Sequence, residues 1–259
     1  MDDFEQIAGK EFSYPHPWYF DQSGWVFNFT KYTKGRELYM STSKDGVTWT
    51  PDVKLAGFGG HYQVTATQGS RRGTAFSWHP PVGGLNARTN LYYIQTDDFG
   101  MTWQNAAGKT LTLPLDSPKN DALVRDYQAE GLLVYEKDLA YDKAGHPVIF
   151  YLTSKGYESG PKNAPYTWLT ARWTGTDWVC NKVTESDHNY DSGCLYVEED
   201  GTWRIYGPSD PGPQKYATGG EIVMWTSSDD GVTWTRASTL TKNSRYNHSY
   251  SRRPINAHP

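Results

Sequence analysis

Ser227-Ser228-Asp229-Asp230-Gly231-Val232-Thr233-Trp234 is the stretch on which the reading of the fold turns. A short aspartate can hydrogen-bond turn amides, a glycine can take backbone angles closed to other residues, and a tryptophan entering the next strand can pack over the connection. Three further segments keep a glycine three residues before a tryptophan: Thr42-Ser43-Lys44-Asp45-Gly46-Val47-Thr48-Trp49, Thr96-Asp97-Asp98-Phe99-Gly100-Met101-Thr102-Trp103 and the degenerate Gly175-Thr176-Asp177-Trp178. The four tryptophans are 54, 75 and 56 residues apart. A unit of about 50 residues therefore recurs, once with an insertion. The copy at 42 carries Lys44 where the aspartate belongs, so that turn is expected to be held differently.

Strand-like runs flank these turns: Trp25–Thr30, Asn90–Gln95, Pro147–Leu152 and Glu221–Thr226. No stretch of useful length has helical periodicity, and Asp21–Gly24, Lys143–Gly145 and Asp200-Gly201 supply turns between the runs. The reading is an all-β chain, a β-propeller of four-stranded antiparallel blades in a single domain over 1–259. Four nearly complete blades are expected at about 13–56, 61–115, 122–185 and 190–241, with partial blades at 1–12 and 246–259. Because an open arc leaves sheet faces uncovered, the chain is expected to be a fragment of a larger propeller.

Composition narrows the function. The 25 basic and 29 acidic residues are scattered without blocks and give a net charge of −4, which argues against nucleic acid or an anionic membrane as partner. No run has the length of an apolar membrane span, and the opening MDDFEQIAGKEF has neither the basic nor the apolar region of a signal peptide. With 11 Trp and 19 Tyr against 9 Phe and 4 Met, the aromatic rings mostly carry a polar edge, which suits sugar-stacking walls as well as sheet cores. Cys180 and Cys194 are too few for a disulfide scaffold and read as free thiols.

Several polar clusters recur at the openings of the blades or at strand ends within them: Gly60-His61-Tyr62-Gln63, Trp78-His79-Pro80-Pro81, Asp126-Tyr127-Gln128, Lys155-Gly156-Tyr157, Asp187–Asp191 and Asn247–Arg253. Innermost strands line the axis of a propeller, so clusters that open successive blades converge on one mouth, where propellers bind ligands.

The turn pattern resembles the Asp-box of sialidases and other BNR-repeat propellers, with the copy at 227–234 matching it fully. The runs Ser13–Trp18, Arg88–Tyr93, Thr153–Gly156, Asp187–Asp191 and Asn247–Pro254 resemble more closely the BNR-repeat proteins of bacterial polysaccharide degradation, including ulvan lyases and L-rhamnose-α-1,4-D-glucuronate lyases. The resemblance implies a seven-bladed parent that cleaves next to a uronic acid by β-elimination. Such a step needs a partner for the carboxylate, a base for the C5 proton and an acid for the leaving oxygen. Two histidines in one blade belong to the implied pattern, and His61 and His79 match it, 18 residues apart. On that pattern His79 is the expected base, with His61 beside the carboxylate. Tyr127 is the expected proton donor and Arg253 the charge partner, with Lys155 as substitute. His188, Tyr190, Gln128, Glu221 and His248 are expected to bind substrate.

Three rival readings remain. A hydrolase of the α-L-rhamnosidase kind would use paired carboxylates drawn from Asp126, Glu130, Asp191 and Glu221. A sialidase would need an arginine triad, for which only Arg88, Arg125, Arg172, Arg204 and the pair Arg252-Arg253 are suitably placed, and a sugar-binding propeller would show saturable binding without turnover. The implied partner is a polysaccharide or oligosaccharide, met by a monomer outside the cell or in the periplasm. No cofactor is required, and calcium or zinc is expected at most in a structural role.

Overall fold

The computed structural model describes residues 12–254, so the partial blade expected at 1–12 lies outside the described residues except for Phe12, as do positions 255–259. The described chain forms four sheets, each of four antiparallel strands. The first holds β1 (Phe12–Phe20), β2 (Gly24–Tyr32), β3 (Arg36–Ser43) and β4 (Val53–Ala56), and the second β5 (Gln63–Gln68), β6 (Arg71–Trp78), β7 (Thr89–Thr96) and β8 (Leu123–Arg125). The third holds β9 (Leu133–Tyr141), β10 (Pro147–Ser154), β11 (Tyr166–Trp173) and β12 (Trp178–Ser186), and the fourth β13 (Cys194–Val197), β14 (Trp203–Pro211), β15 (Gly220–Ser227) and β16 (Thr235–Thr239). Within every sheet the strands lie side by side in chain order. All four strand-like runs of the sequence fall inside strands, and the three turn signals join β1 to β2, β9 to β10 and β13 to β14.

The alternation of β10 shows how the sheets stack. Ile149 and Tyr151 pack with Val64, Ala75, Leu91 and Tyr93 of the second sheet, whereas Phe150 and Leu152 pack with Leu195, Trp203 and Ile205 of the fourth. Both faces of the strand are covered, so its residues are buried along its whole length, in keeping with its near-continuous apolar sequence. Leu38 and Met40 meet Phe76, Tyr92 and Ile94 in the same way between the first and second sheets. The innermost strands β1, β5, β9 and β13 touch in succession and line the axis.

The boxes are closed turns. In the fourth sheet the Asp229 carboxylate accepts from the Thr233 amide at 2.9 Å, the Thr233 hydroxyl at 2.6 Å and the Ser227 hydroxyl at 2.7 Å, while the Gly231 amide donates to Ser227 Oγ at 3.0 Å. Asp98 repeats this with Thr102 and Thr96. Gly46, Gly100 and Gly231 all have φ between 78° and 87°, where a side chain is strained. The first box is one residue shorter. Asp45, not a residue at position 44, accepts from the Val47 and Thr48 amides and the Ser43 hydroxyl, so the expected defect at Lys44 is a shift of register. The degenerate third turn uses the Thr174 hydroxyl, which accepts from the Asp177 amide at 3.1 Å.

The blade boundary expected between 115 and 122 is corrected. Residues Leu123–Arg125 pair with β7, through Leu91 opposite Arg125 and Tyr92 opposite Leu123, and so close the second sheet. The long spacing after Trp103 is an insertion ahead of this strand, anchored by Leu111 and Leu115 in the core. Beyond β16 the chain turns back across the fourth sheet: His248 bridges Gly220, and Tyr250 bridges Ser192 just ahead of β13.

Candidate active site

Innermost strands and the returning segment meet at a cavity of about 270 Å³. β1 supplies Tyr14, Pro15 and His16, the opening of β5 supplies Tyr62, Gln63 and Val64, β9 supplies Glu136, and the return supplies Tyr250 and Arg252; Arg88 enters from just before β7. Tyr14 has a positive φ of 53°, within an irregularity of the β1–β2 pairing between Ser13 and His16. Its ring stacks on Tyr62 with centroids 4.1 Å apart.

Arg88 is the centre of the wall. Its guanidinium lies over the rings of Tyr62 at 4.9 Å, Tyr135 at 4.9 Å and Tyr190 at 5.5 Å, and its Nε donates only a long bond to the Leu85 carbonyl at 3.3 Å. A planar cation held by three aromatic faces keeps its remaining donors available for an oxyanion. Arg252 faces the cavity on the other side, with one nitrogen donating to the Lys137 carbonyl at 3.1 Å.

The cavity's titratable groups are pushed apart by their surroundings. Burial raises the Glu136 carboxyl to about 7, and its Oε1 is enclosed without a hydrogen-bond partner. Burial, with Tyr62 adding to it, raises the Tyr14 phenol to about 12 and keeps it protonated. Burial together with Arg72 and Arg252 lowers His16 to about 3, so its ring is neutral. The Tyr250 phenol is lowered by hydrogen bonding to Arg252. One acid held neutral, one carboxyl tuned near neutrality and two cations is an arrangement suited to moving a proton next to a bound carboxylate.

The two histidines expected to act directly stand behind this wall. His79 is 3% exposed, with its ring edge against the Tyr62 ring at 4.6 Å and both ring nitrogens enclosed without a partner. Burial and the nearby Arg88 lower it to about 2. Gly60 is required beside it, since a Cβ there would come within 2.7 Å of His79 Nδ1. His61 is fully buried between Phe58 and Phe76, its Nδ1 2.9 Å from the Ser77 carbonyl, and burial lowers it to about 4. Neither lines the cavity; Tyr62, which follows His61 in the chain, does.

Tyr190 joins the mouth through Arg88 and its edge contact with Tyr135 at 5.3 Å. Arg253 sits deeper along the axis with Trp18, Thr65 and Asp138. Other expected site residues lie elsewhere. Tyr127 is buried in the core between the second and third sheets, its hydroxyl 2.6 Å from that of Tyr151, because it follows the outermost strand β8 and not an innermost one. Gln128 and Lys155 are exposed on loops. The Glu221 carboxylate is occupied by the Thr241 hydroxyl and by the amide and hydroxyl of Ser244, and His248 meets the same Ser244 hydroxyl at 3.0 Å, so both clasp the returning segment. His188 is fully buried between Asp187 and Asp191. Cys180 and Cys194 are free thiols, and among the described residues no group of three or more His, Cys, Asp or Glu side chains is gathered for a metal.

In the sequence Arg88 and Arg252 stand inside longer runs and among the arginines placed for a sialidase, and Glu136 gives no signal. The pairing of β9 with β10 slips so that Asp138 faces Phe150 and Glu136 faces Tyr151, leaving Lys137 as a bulge. That bulge breaks the period of two on which an inward-facing residue would be read.

Comparison with known proteins agrees with the architecture. An ulvan lyase of Alteromonas sp. (strain LOR) is 25% identical over 183 residues, 68% of this chain and 36% of that protein. Two solved structures of an ulvan lyase from a polysaccharide lyase family, one bound to -[GlcA(1-4)Rha3S]-, superimpose with a TM-score of 0.70 at 19% identity, over 88% of this chain and 55% of theirs. A Trypanosoma rangeli sialidase superimposes with a TM-score of 0.56 at 14% identity, over 90% of this chain and 39% of its own. The chain thus spans about a third of the curated relative and about half of the ulvan lyase structures. The model described as a BNR repeat-containing family member matches residues 5–186, and the chain belongs to that family.

Proposed function

We propose that the cavity at the propeller mouth is the active site of a polysaccharide lyase that cleaves a rhamnose- and uronate-containing chain by β-elimination. The observation that carries this reading is the meeting of Arg88 and Arg252 with Glu136 and the Tyr14–Tyr62 pair in one cavity. Its volume of about 270 Å³ is near the lower end of ligand pockets and suits one sugar ring, with the rest of the polysaccharide outside.

Arg88 and Arg252 bind the uronate carboxylate and draw its charge, which acidifies C5–H. Glu136, whose carboxyl is raised to about 7, takes the C5 proton in its ionised form. A double bond forms between C4 and C5 as the C4–O bond breaks, and the protonated Tyr14 hydroxyl donates to the leaving oxygen. Tyr62 stacks on Tyr14 and is backed by His79, so the histidine expected as base acts in this scheme by supporting Tyr62. The paired-carboxylate hydrolase finds less support: among the described residues lining the cavity Glu136 is the single carboxylate, and Asp126, Glu130, Asp191 and Glu221 lie outside it. The similarity of the curated ulvan lyase supports the same reaction class. Such a substrate fits a location outside the cell or in the periplasm.

The test is absorbance of the unsaturated uronate while the chain is incubated with a panel of rhamnose- and uronate-containing polysaccharides. A rise that is lost in Arg88→Ala supports elimination at this cavity. New reducing ends without that absorbance would move the assignment to a hydrolase, and saturable binding with neither would leave a sugar-binding propeller.

A further inference from the structure

Beneath the cavity floor lies a set of charges that the reaction does not touch. The bulged Lys137 sends its ammonium away from the axis, under the fourth sheet, where its side chain is fully buried. There it pairs with the Asp191 carboxylate at 3.0 Å, donates to the Asp191 carbonyl at 3.0 Å and lies over the face of Trp168 at 4.6 Å. His188 completes the group, with Nδ1 2.7 Å from Asp187 and Nε2 3.5 Å from Asp191. Burial opposes charge on His188, but Asp187 and Asp191 outweigh it and raise the imidazole to about 9. Burial likewise opposes the Asp191 carboxylate, and Lys137 and His188 hold it below its ordinary range. Two cations thus face two carboxylates, a balance that makes burial of the set tolerable.

Two connections run from this set to the cavity. Lys137 follows Glu136 directly in the bulge, and its carbonyl accepts from Arg252. Asp191 precedes Ser192, whose amide donates to the Ser249 carbonyl and whose own carbonyl accepts from the Ser251 amide at 3.4 Å, holding the segment that carries Tyr250 and Arg252. We propose that the buried Lys137–Asp191 pair is a positioning device that fixes Glu136 and Arg252 against each other across the cavity. A buried pair of this kind is a poor source of stability, since apolar residues of similar volume often replace one without loss. Its value here is geometric: a bulge lacks full ladder hydrogen bonds, and an ammonium pinned in the neighbouring blade sets its direction.

The inference rests on the lyase reading, and its test separates the two. In the full chain, Lys137→Met and Asp191→Asn are compared with the double variant Lys137→Met/Asp191→Leu by thermal unfolding, by the pH profile of cleavage and by affinity for a glucuronate-containing oligosaccharide. The double variant recovers the melting temperature lost by the single ones. It nevertheless keeps a kcat reduced by roughly 10–100-fold, the scale of a displaced reacting group, and a weakened affinity. The acid limb of its profile moves from near 7 toward an ordinary carboxylate, because Glu136 relaxes toward solvent and sheds the burial that raises it. Full kcat, an unmoved limb and unchanged affinity in the refolded double variant would overturn the positioning role. If the unaltered chain cleaves nothing, the lyase reading fails by itself, and the positioning role is then decided by oligosaccharide affinity, which falls about tenfold in the double variant if the pair holds Arg252 and stays constant if it does not.

Discussion

The two ends of this propeller treat the same polar side chains in opposite ways. At the box turns one aspartate closes each loop on itself: Asp45, Asp98 and Asp229 each accept from amides and hydroxyls within four residues. At the mouth, partners come from distant parts of the chain, and Glu136 Oε1 is enclosed without a partner, as are both nitrogens of His79 behind the wall. Hydrogen bonds formed within a loop lower the charged form of an aspartate and hold a turn, as the depressed Asp45 and Asp229 carboxyls show. At the mouth Glu136, short of partners, is raised by burial to about 7 and stays available to a ligand. Local closure therefore marks the box turns, whereas the mouth is assembled across the chain.

Five measurements would break or sharpen this contrast. The largest effect is expected at the mouth, where Arg88→Ala lowers kcat/KM on a uronate polysaccharide by roughly 100–1,000-fold, as loss of a charge-stabilising donor does, while thermal unfolding changes little. Equal loss of stability would show the arginine to be part of the scaffold instead. Next, Glu136→Gln removes the acid limb of the pH–rate profile near pH 7. The same variant tests stability with a definite sign. A carboxyl raised to about 7 in the fold stabilises fully only below its unfolded value and loses that contribution as pH rises through 7, so Glu136→Gln gains on the parent between about pH 4.5 and 7.5 in urea titrations. At the opposite face, Asp98→Ala costs about 1 kcal/mol, or roughly 2–4 °C in melting temperature, and leaves kcat unchanged. The smallest effect separates neighbours in the first box: Lys44→Ala stays within about 0.5 kcal/mol in thermal unfolding, whereas Asp45→Ala lowers the melting temperature measurably.

The repeat was legible because its physics is local. A turn that needs a carboxylate, a glycine and a tryptophan at fixed offsets writes all three into eight residues, and the strands beside it alternate accordingly. Where one residue is deleted, as between Ser43 and Gly46, a fixed template misplaces the aspartate by one position although the turn survives. The end of the second blade was misread because β8 is a three-residue strand beyond an insertion, too short to show a period. Convergence at the mouth was legible as a principle but not as a residue list. His61 and Tyr62 are adjacent, and pleating turns one into the core and the other into the cavity. Histidines attract notice for their chemistry, yet the cavity is lined by Tyr14, Arg88 and Glu136, whose directions depend on an irregular β1 pairing, a loop before β7 and a bulge in β9.

The return of the chain across the fourth sheet bears on how the cavity is held together. Within the described residues Tyr250 and Arg252 follow all sixteen strands, so their wall is carried by isolated bridges at Gly220 and Ser192 and not by a paired strand. A wall held in this way parts from the blades without unpairing a strand, and the mouth has one flank fixed by the sheets and one that local opening reaches first.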